Sequence, residues 1–87
     1  MPYLYLPPPL RSLTGGVHPL PVDGATVGEA IEAAERVHPG IKARLVRDGT
    51  LLPGFHVSIG DVMTRRGLAA PLEPESEVHF LPPIGGG

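Results

Sequence analysis

The C-terminus carries the residues best suited to chemistry. Pro82 and Pro83 stiffen the chain where it leaves an apolar segment and donate no N–H to a sheet. The glycines that follow lack a Cβ, so their backbone can enter a channel too narrow for other residues. At about 3.5 Å per residue, residues 84–87 reach roughly 14 Å. We therefore expect a free carboxylate on a thin stem that fits the cleft of a partner, with the stem formed by Ile84, Gly85, Gly86 and Gly87.

The glycine tail alone does not establish a function, since chain ends are commonly mobile and tolerate small residues. At the average glycine frequency, two terminal glycines arise by chance in roughly one chain in 200. Whether the terminus is incidental or functional therefore has to be inferred from the fold that carries the tail.

The composition is typical of a small globular domain, with 87 residues of which 41% are hydrophobic and 18% charged. A net charge of −2 disfavours nucleic acid as the partner, because phosphate binding requires clustered Lys and Arg. Without cysteine, the chain has no disulfide, thiolate metal ligand or thiol nucleophile. No apolar run approaches the length of a membrane span and no signal-peptide pattern opens the chain, so we expect a cytoplasmic protein with no membrane partner.

The first predicted strand covers residues 2–6, where leucine and tyrosine alternate. An alternation with a period of two places Leu4 and Leu6 on one face of a sheet. Tyr3 and Tyr5 then lie on the opposite face.

A second strand is predicted over residues 17–22 and contains two prolines, Pro19 and Pro21. The prolines share parity, so both missing N–H groups lie along the same side of the strand. Such a strand can pair only on its other side. We therefore expect it at an edge of the sheet.

A helix is predicted over residues 27–37. Thr26 followed by Glu29 has the spacing of a capping box, which satisfies free N–H groups at a helix start. The helix should end at the His-Pro-Gly stretch of residues 38–40, because the residue before proline disfavours helical dihedrals. Apolar residues recur at helical spacing and predict a face buried in the core: Val27, Ala30, Ile31, Ala34 and Val37.

Shorter patterns predict three further strands, at residues 45–47 after a helical turn, at residues 55–59 and at residues 78–81. The stretch between the last two strands, residues 62–72, shows no clear period. We expect irregular chain there that packs two leucines inward, Leu68 and Leu72.

Two strands, one helix and three further strands in that order predict an α+β fold. With the second strand at an edge, a β-grasp (ubiquitin-like) arrangement fits best. It has a mixed sheet of four to five strands with the main helix packed on one face. The first and last strands lie parallel and adjacent in the middle. We expect a β-grasp domain at residues 1–83 and a flexible glycine tail at residues 84–87.

Along nearly its whole length, the chain resembles the MoaD/ThiS family of ubiquitin-like sulfur carriers. Residues 80–87, Phe-Leu-Pro-Pro-Ile-Gly-Gly-Gly, are similar to the terminal signature of the small subunit of molybdopterin synthase. The Thr-Gly-Gly turn at residues 14–16 and the His-Pro-Gly-Ile stretch at residues 38–41 more closely resemble the branch that includes the cysteine-biosynthesis sulfur carriers. Many relatives carry Val-Asn near the end of the fourth strand, where this chain has Val57 and Ser58.

The resemblance implies a sulfur-carrying co-substrate, or the small subunit of a molybdopterin synthase, rather than an enzyme. A partner related to the ubiquitin-activating enzymes would adenylate the Gly87 carboxylate, and ATP and Mg would belong to that partner, with no cofactor bound by this chain. A persulfide on a sulfur donor would then convert the adenylate to a thiocarboxylate. The sulfur would pass to a biosynthetic enzyme such as the molybdopterin synthase large subunit. A thiazole precursor, activated serine and a tRNA base are the alternative acceptors.

Partner binding is predicted on the sheet face opposite the helix. If Leu4, Leu6, Val78 and Phe80 face the helix, the intervening residues form a second face that is partly apolar and aromatic. Such a face usually marks a protein interface, unless loops cover it. The predicted partner-binding residues are Tyr3, Tyr5, His79, Leu81, Pro82, Pro83 and Ile84.

Two other functions remain compatible with the sequence. A covalent protein modifier joined through Gly87 to lysines of its targets would share the tail and the activation step. A non-covalent interaction module would not need the glycines. We expect no catalytic residue and no metal site, since the histidines lack the spacing of known metal ligands: His18, His38, His56 and His79.

Overall fold

The computed structural model describes residues 1–82. The predicted domain boundary at residue 83 and the flexible tail therefore lie outside the described residues and stay predictions. No helix within residues 1–82 is long and apolar enough to cross a membrane. The described elements follow in this order: β1 (Tyr3–Tyr5), a 3₁₀ helix (Pro8–Thr14), β2 (Leu20–Pro21), α1 (Val27–Val37), a 3₁₀ helix (Lys42–Arg44), β3 (Val46–Arg47), β4 (Thr50–Leu51), β5 (His56–Ile59), β6 (Val62–Thr64), a 3₁₀ helix (Gly67–Ala69) and β7 (Glu77–Leu81).

The main sheet contains five strands in the order β2-β1-β7-β5-β6. Its central strands β1 and β7 run parallel, with Leu4 opposite Val78 and Tyr5 opposite His79. The other strand pairs of this sheet are antiparallel. The strand predicted over residues 17–22 is shorter in the structure, where β2 covers Leu20–Pro21, and it lies at an edge, as the prolines of the predicted segment indicated. The predicted β-grasp fold is confirmed, and the tail continues from β7, which is paired on both sides.

Helix α1 covers the predicted residues, Val27–Val37, and it begins at Val27 because its first turn is capped. The hydroxyl of Thr26 accepts a hydrogen bond from the Glu29 N–H at 3.1 Å. The Glu29 carboxylate accepts one from the Ala25 N–H at 2.9 Å, so the box closes one residue before the usual partner. Both bonds satisfy N–H groups that a helix start leaves free.

The core lies between α1 and one face of the main sheet. The predicted inward residues of β1 and β7 are confirmed, since Leu4 and Val78 are fully buried and Phe80 is 3% exposed. The helix contributes four of the five residues of its predicted stripe. The prediction for Val37 is wrong: this last helical residue is 70% exposed.

The interpretation of residues 62–72 as irregular is wrong in part, because Val62–Thr64 form strand β6. A two-residue turn joins β5 to β6, and Gly60 adopts the φ of +60° that this turn requires. A second small sheet was also missed: β3 and β4 form a hairpin around Asp48 and Gly49, both with positive φ. Leu68 and Leu72 pack against the core, as predicted.

Candidate protein-docking face and tail exit

Strand β7 separates core side chains from surface side chains at the exit of the tail. Val78 and Phe80 point into the core, whereas His79 and Leu81 lie on the opposite face. Leu81 is 38% exposed and Pro82 is exposed. Because β1 and β5 both pair with β7, the base of the tail is held by the best protected part of the sheet.

The parallel register of β1 and β7 brings two predicted partner-binding residues together. Tyr5 lies opposite His79, and their rings stack with centroids 4.3 Å apart and an angle of 16° between the planes. His18 meets the Tyr5 ring edge-on at 5.4 Å. The loop before β2 therefore covers one flank of Tyr5, while the His79 side remains half-exposed.

The surface extends across the sheet beyond the residues predicted from the sequence. His79 lies opposite Ser58 on β5, and Ser58 lies opposite Met63 on β6. Register partners share a face, so these side chains continue the row that begins at Tyr5. Met63 is 55% exposed and was missed, because β6 was not predicted. We call this surface the docking face, formed by Tyr3, Tyr5, Ser58, Met63, His79 and Leu81.

His18 is held in its neutral form at the border of the docking face. Its Nε2 atom is buried and has no hydrogen-bond partner within residues 1–82. Burial lowers the pKa of His18 from its usual 6.5, and the charges of Arg11 and of His79 in its protonated form lower it further. A neutral imidazole packs against Tyr5 as an aromatic ring, which suits a structural role in shaping the face.

The serine that departs from the family pattern stabilises its own turn. The hydroxyl of Ser58 donates a hydrogen bond to the Gly60 carbonyl at 2.7 Å. This bond closes the bend that leads from β5 to β6. The local geometry at the departure is therefore supported by a side-chain contact.

The chemistry predicted from the sequence lies on the tail. The predicted adenylation site Gly87 and the residues Pro83, Ile84, Gly85 and Gly86 lie outside the described residues. Within residues 1–82, no group of three His, Cys, Asp or Glu side chains is arranged to hold a metal ion. Within the described residues, the docking face and the exposed end of β7 therefore form the candidate site.

Known proteins resemble the chain along its full length. The ThiS family model matches residues 4–87. A chain of the Amycolatopsis orientalis BexX/CysO complex is 36% identical, covers 100% of both chains and superimposes with a TM-score of 0.90. Mycobacterium tuberculosis CysO, described as an antigen, is 28% identical over 97% of this chain and 100% of its own, with a TM-score of 0.88.

An archaeal protein shares the fold as well. Small archaeal modifier protein 1 (SAMP1) from Methanosarcina acetivorans is 25% identical over 99% of this chain and 95% of its own, with a TM-score of 0.79. No protein among the curated ones matches this chain in sequence. A family match over residues 4–87, together with the β-grasp fold, is decisive. The chain therefore belongs to the ThiS family, whose members are small ubiquitin-like sulfur carriers rather than enzymes.

Proposed function

We propose that this chain carries sulfur on the carbonyl carbon of Gly87. The terminal carboxylate attacks the α-phosphate of ATP on an adenylating partner, and pyrophosphate leaves. A protein persulfide then attacks the acyl-adenylate and displaces AMP, which gives an acyl disulfide. A second thiol reduces that disulfide and leaves a thiocarboxylate at Gly87. ATP and Mg belong to the partner.

The family match, which runs to the terminal residue, carries this proposal. The described residues support the way in which the tail would be presented. Leu81 and Pro82 are exposed at the end of a strand that is paired on both sides, so the tail starts from a fixed position. A tail whose base is held in a sheet loses less freedom on binding than one that extends from a mobile loop.

The docking face supplies the surface that partners would recognise. It combines the stacked pair Tyr5 and His79 with exposed Met63 and Leu81. Aromatic residues and methionine are enriched at protein interfaces. Since Leu81 ends the strand that leads into the tail, binding of this face would bring the tail and its carboxylate to the same partner.

The sulfur acceptor is proposed to be a biosynthetic enzyme. The Phe-Leu-Pro-Pro exit at residues 80–83 resembles the molybdopterin synthase small subunit and supports that acceptor. The Thr-Gly-Gly turn at residues 14–16, together with the likeness to two CysO structures, supports an acceptor of the cysteine-biosynthesis branch. One of those relatives was crystallised with BexX, which supports a folded protein as the partner.

Covalent modification of proteins is the second candidate function. The likeness to a protein named as a modifier favours it, with a TM-score of 0.79. In that case the activated carboxylate of Gly87 would form an isopeptide bond with a lysine amine of a target. Isopeptide-linked ladders in an extract of the native cells would support this function, and a thiocarboxylate without ladders would support the carrier.

Sulfur carriage can be tested with three forms of the chain. The full chain, a form lacking Gly86 and Gly87, and a Leu81→Glu variant are each incubated with ATP, a persulfide donor and the adenylating enzyme of the same cells. We expect pyrophosphate release and thiocarboxylate formation only with the full chain of unchanged sequence. The truncated form should melt normally and compete for the enzyme without turnover, whereas Leu81→Glu should compete poorly. Turnover of the truncated form would contradict the proposal.

A further inference from the structure

Along the strand axis of the main sheet, basic side chains lie at the end where the tail leaves, and acidic side chains lie at the other end. Leu81, at the exit of the tail, lies opposite His56, and the next residue of β5 pairs with Thr64. Arg65 follows Thr64 and is therefore level with His56 and with the exit. Arg65 and His56 also line one cleft of about 520 Å³, which confirms their proximity.

Arginines flank the exit of the tail on both sides. On the β5–β6 side, Arg66 follows Arg65, and both side chains are exposed. On the β1 side, Arg11 donates a hydrogen bond from its Nε to the Leu6 carbonyl at 3.1 Å. Leu6 comes directly after Tyr5, the partner of His79, so this contact is level with the end of β7. We call Arg11, Arg65 and Arg66 the basic collar.

Carboxylates are concentrated at the other end of the same sheet. Asp61 lies in the turn between β5 and β6, and Glu77 begins β7 after a turn that contains Glu73 and Glu75. The charged contacts found within residues 1–82 join Lys42 to Glu32 and, when the histidine is protonated, His79 to Glu77, and neither involves the collar. A chain with a net charge of −2 thus surrounds its tail exit with positive charge.

We propose that the basic collar docks on an acidic rim around the cleft of the adenylating partner that admits the tail. This inference rests on the proposed sulfur-carrier function and adds the charge of the partner surface. Complementary charge at the rim of an interface speeds association and orients the approach. Two arginines on one side of the tail and one on the other would align the stem with the cleft before the docking face makes contact.

The test measures ATP–pyrophosphate exchange by the adenylating enzyme of the same cells, with the concentration of this chain varied at low and high salt. Arg65→Glu reverses one collar charge. Arg36→Glu is the matched control, because Arg36 is exposed on α1 and lines a shallow groove with Asp23 and Glu29, away from the collar. Thermal melting verifies that both variants fold.

For Arg65→Glu we expect KM to rise roughly tenfold at low salt with kcat unchanged, because a rim charge acts mainly on association. The difference from wild type should shrink at high salt, since ions screen exposed charges. Arg36→Glu should behave as wild type. Equal effects of the two variants, or a KM change independent of salt, would overturn the collar while leaving sulfur carriage intact. Absence of exchange with the wild-type chain would overturn both proposals.

Discussion

Neighbouring residues of β7 provide a matched pair of substitutions that tests the arrangement of the two sheet faces. Phe80 is 3% exposed and fills the core, so Phe80→Ala leaves a cavity that costs about 3–5 kcal/mol of unfolding free energy. In a domain of this size each kcal/mol shifts the melting midpoint by about 4–8 °C. We therefore expect the midpoint to fall by at least roughly 12 °C.

Leu81→Ala removes a side chain of similar apolar character from the other face. Leu81 is 38% exposed, so the loss of buried area should cost only about 1 kcal/mol or less. The same change should weaken binding to the adenylating partner, because Leu81 is exposed on the docking face beside the exit of the tail. Of these adjacent positions, Phe80 should thus affect mainly the stability of the fold and Leu81 mainly the binding of the partner.

Urea unfolding followed by circular dichroism gives both free energies, and competition in the exchange assay gives the binding. Phe80→Leu is the conservative control, since it keeps most of the apolar volume and should retain the fold. Equal destabilisation by Phe80→Ala and Leu81→Ala would refute the assignment of the faces. A Leu81→Ala variant with full stability and undiminished binding would remove Leu81 from the docking face.

Three further predictions concern the frame that positions the site. Gly24→Ala should destabilise the fold by about 1–3 kcal/mol in urea unfolding, because an added Cβ would lie 2.6 Å from the backbone nitrogen of Ala30. An unchanged free energy of unfolding would show that the loop moves to accommodate the added Cβ at no cost. Thr26→Ala should cost about 1 kcal/mol by loss of the helix cap, and Thr26→Ser should restore most of it; equal costs for both would contradict the role of the hydroxyl. The folded chain lowers the pKa of His18 below 6.5, so the unfolded chain binds the proton more readily. The contribution of His18 to the free energy of unfolding should therefore be complete above pH 6.5 and fall as the pH drops below that value. His18→Gln should flatten the pH dependence of unfolding just below pH 6.5, and an unchanged slope would contradict the assignment.

The elements predicted correctly are those whose own residues determine them. The capping pair Thr26 and Glu29 fixed the start of α1, and the alternation in β1 separated Leu4 from Tyr5. Pro19 and Pro21 excluded pairing on one side of the segment that contains β2. In each case the local sequence is sufficient to predict the element, because helix caps, the alternation of side chains and missing N–H groups act within a few residues.

The missed elements depend on a partner strand. β6 has only three residues, with Val62 and Met63 largely exposed, and β5 holds it in place across a tight turn. A strand this short carries no hydrophobic pattern of its own, so pairing rather than propensity decides it. Val37 follows helical spacing but falls on the last helical residue, where the core no longer covers it.

Four of the six members of the docking face were predicted from the sequence, but its geometry was not. Tyr5 and His79 were assigned to one face from parity alone, whereas their stacking requires the parallel register of two strands distant in sequence. The basic collar likewise appears only when Arg11 and Arg65 are placed against the end of β7. Long-range register of this kind is not encoded in any single segment.

The intact mass of the native protein, purified from its own cells without a C-terminal tag, tests sulfur carriage most directly. We predict a species heavier by the difference between one sulfur and one oxygen atom, and fragmentation should place that gain at Gly87. Fragmentation is required because oxidation of Met1 or Met63 adds one oxygen and nearly the same mass. An unmodified carboxylate, even after incubation with ATP, a persulfide donor and the adenylating enzyme, would contradict sulfur carriage by this chain.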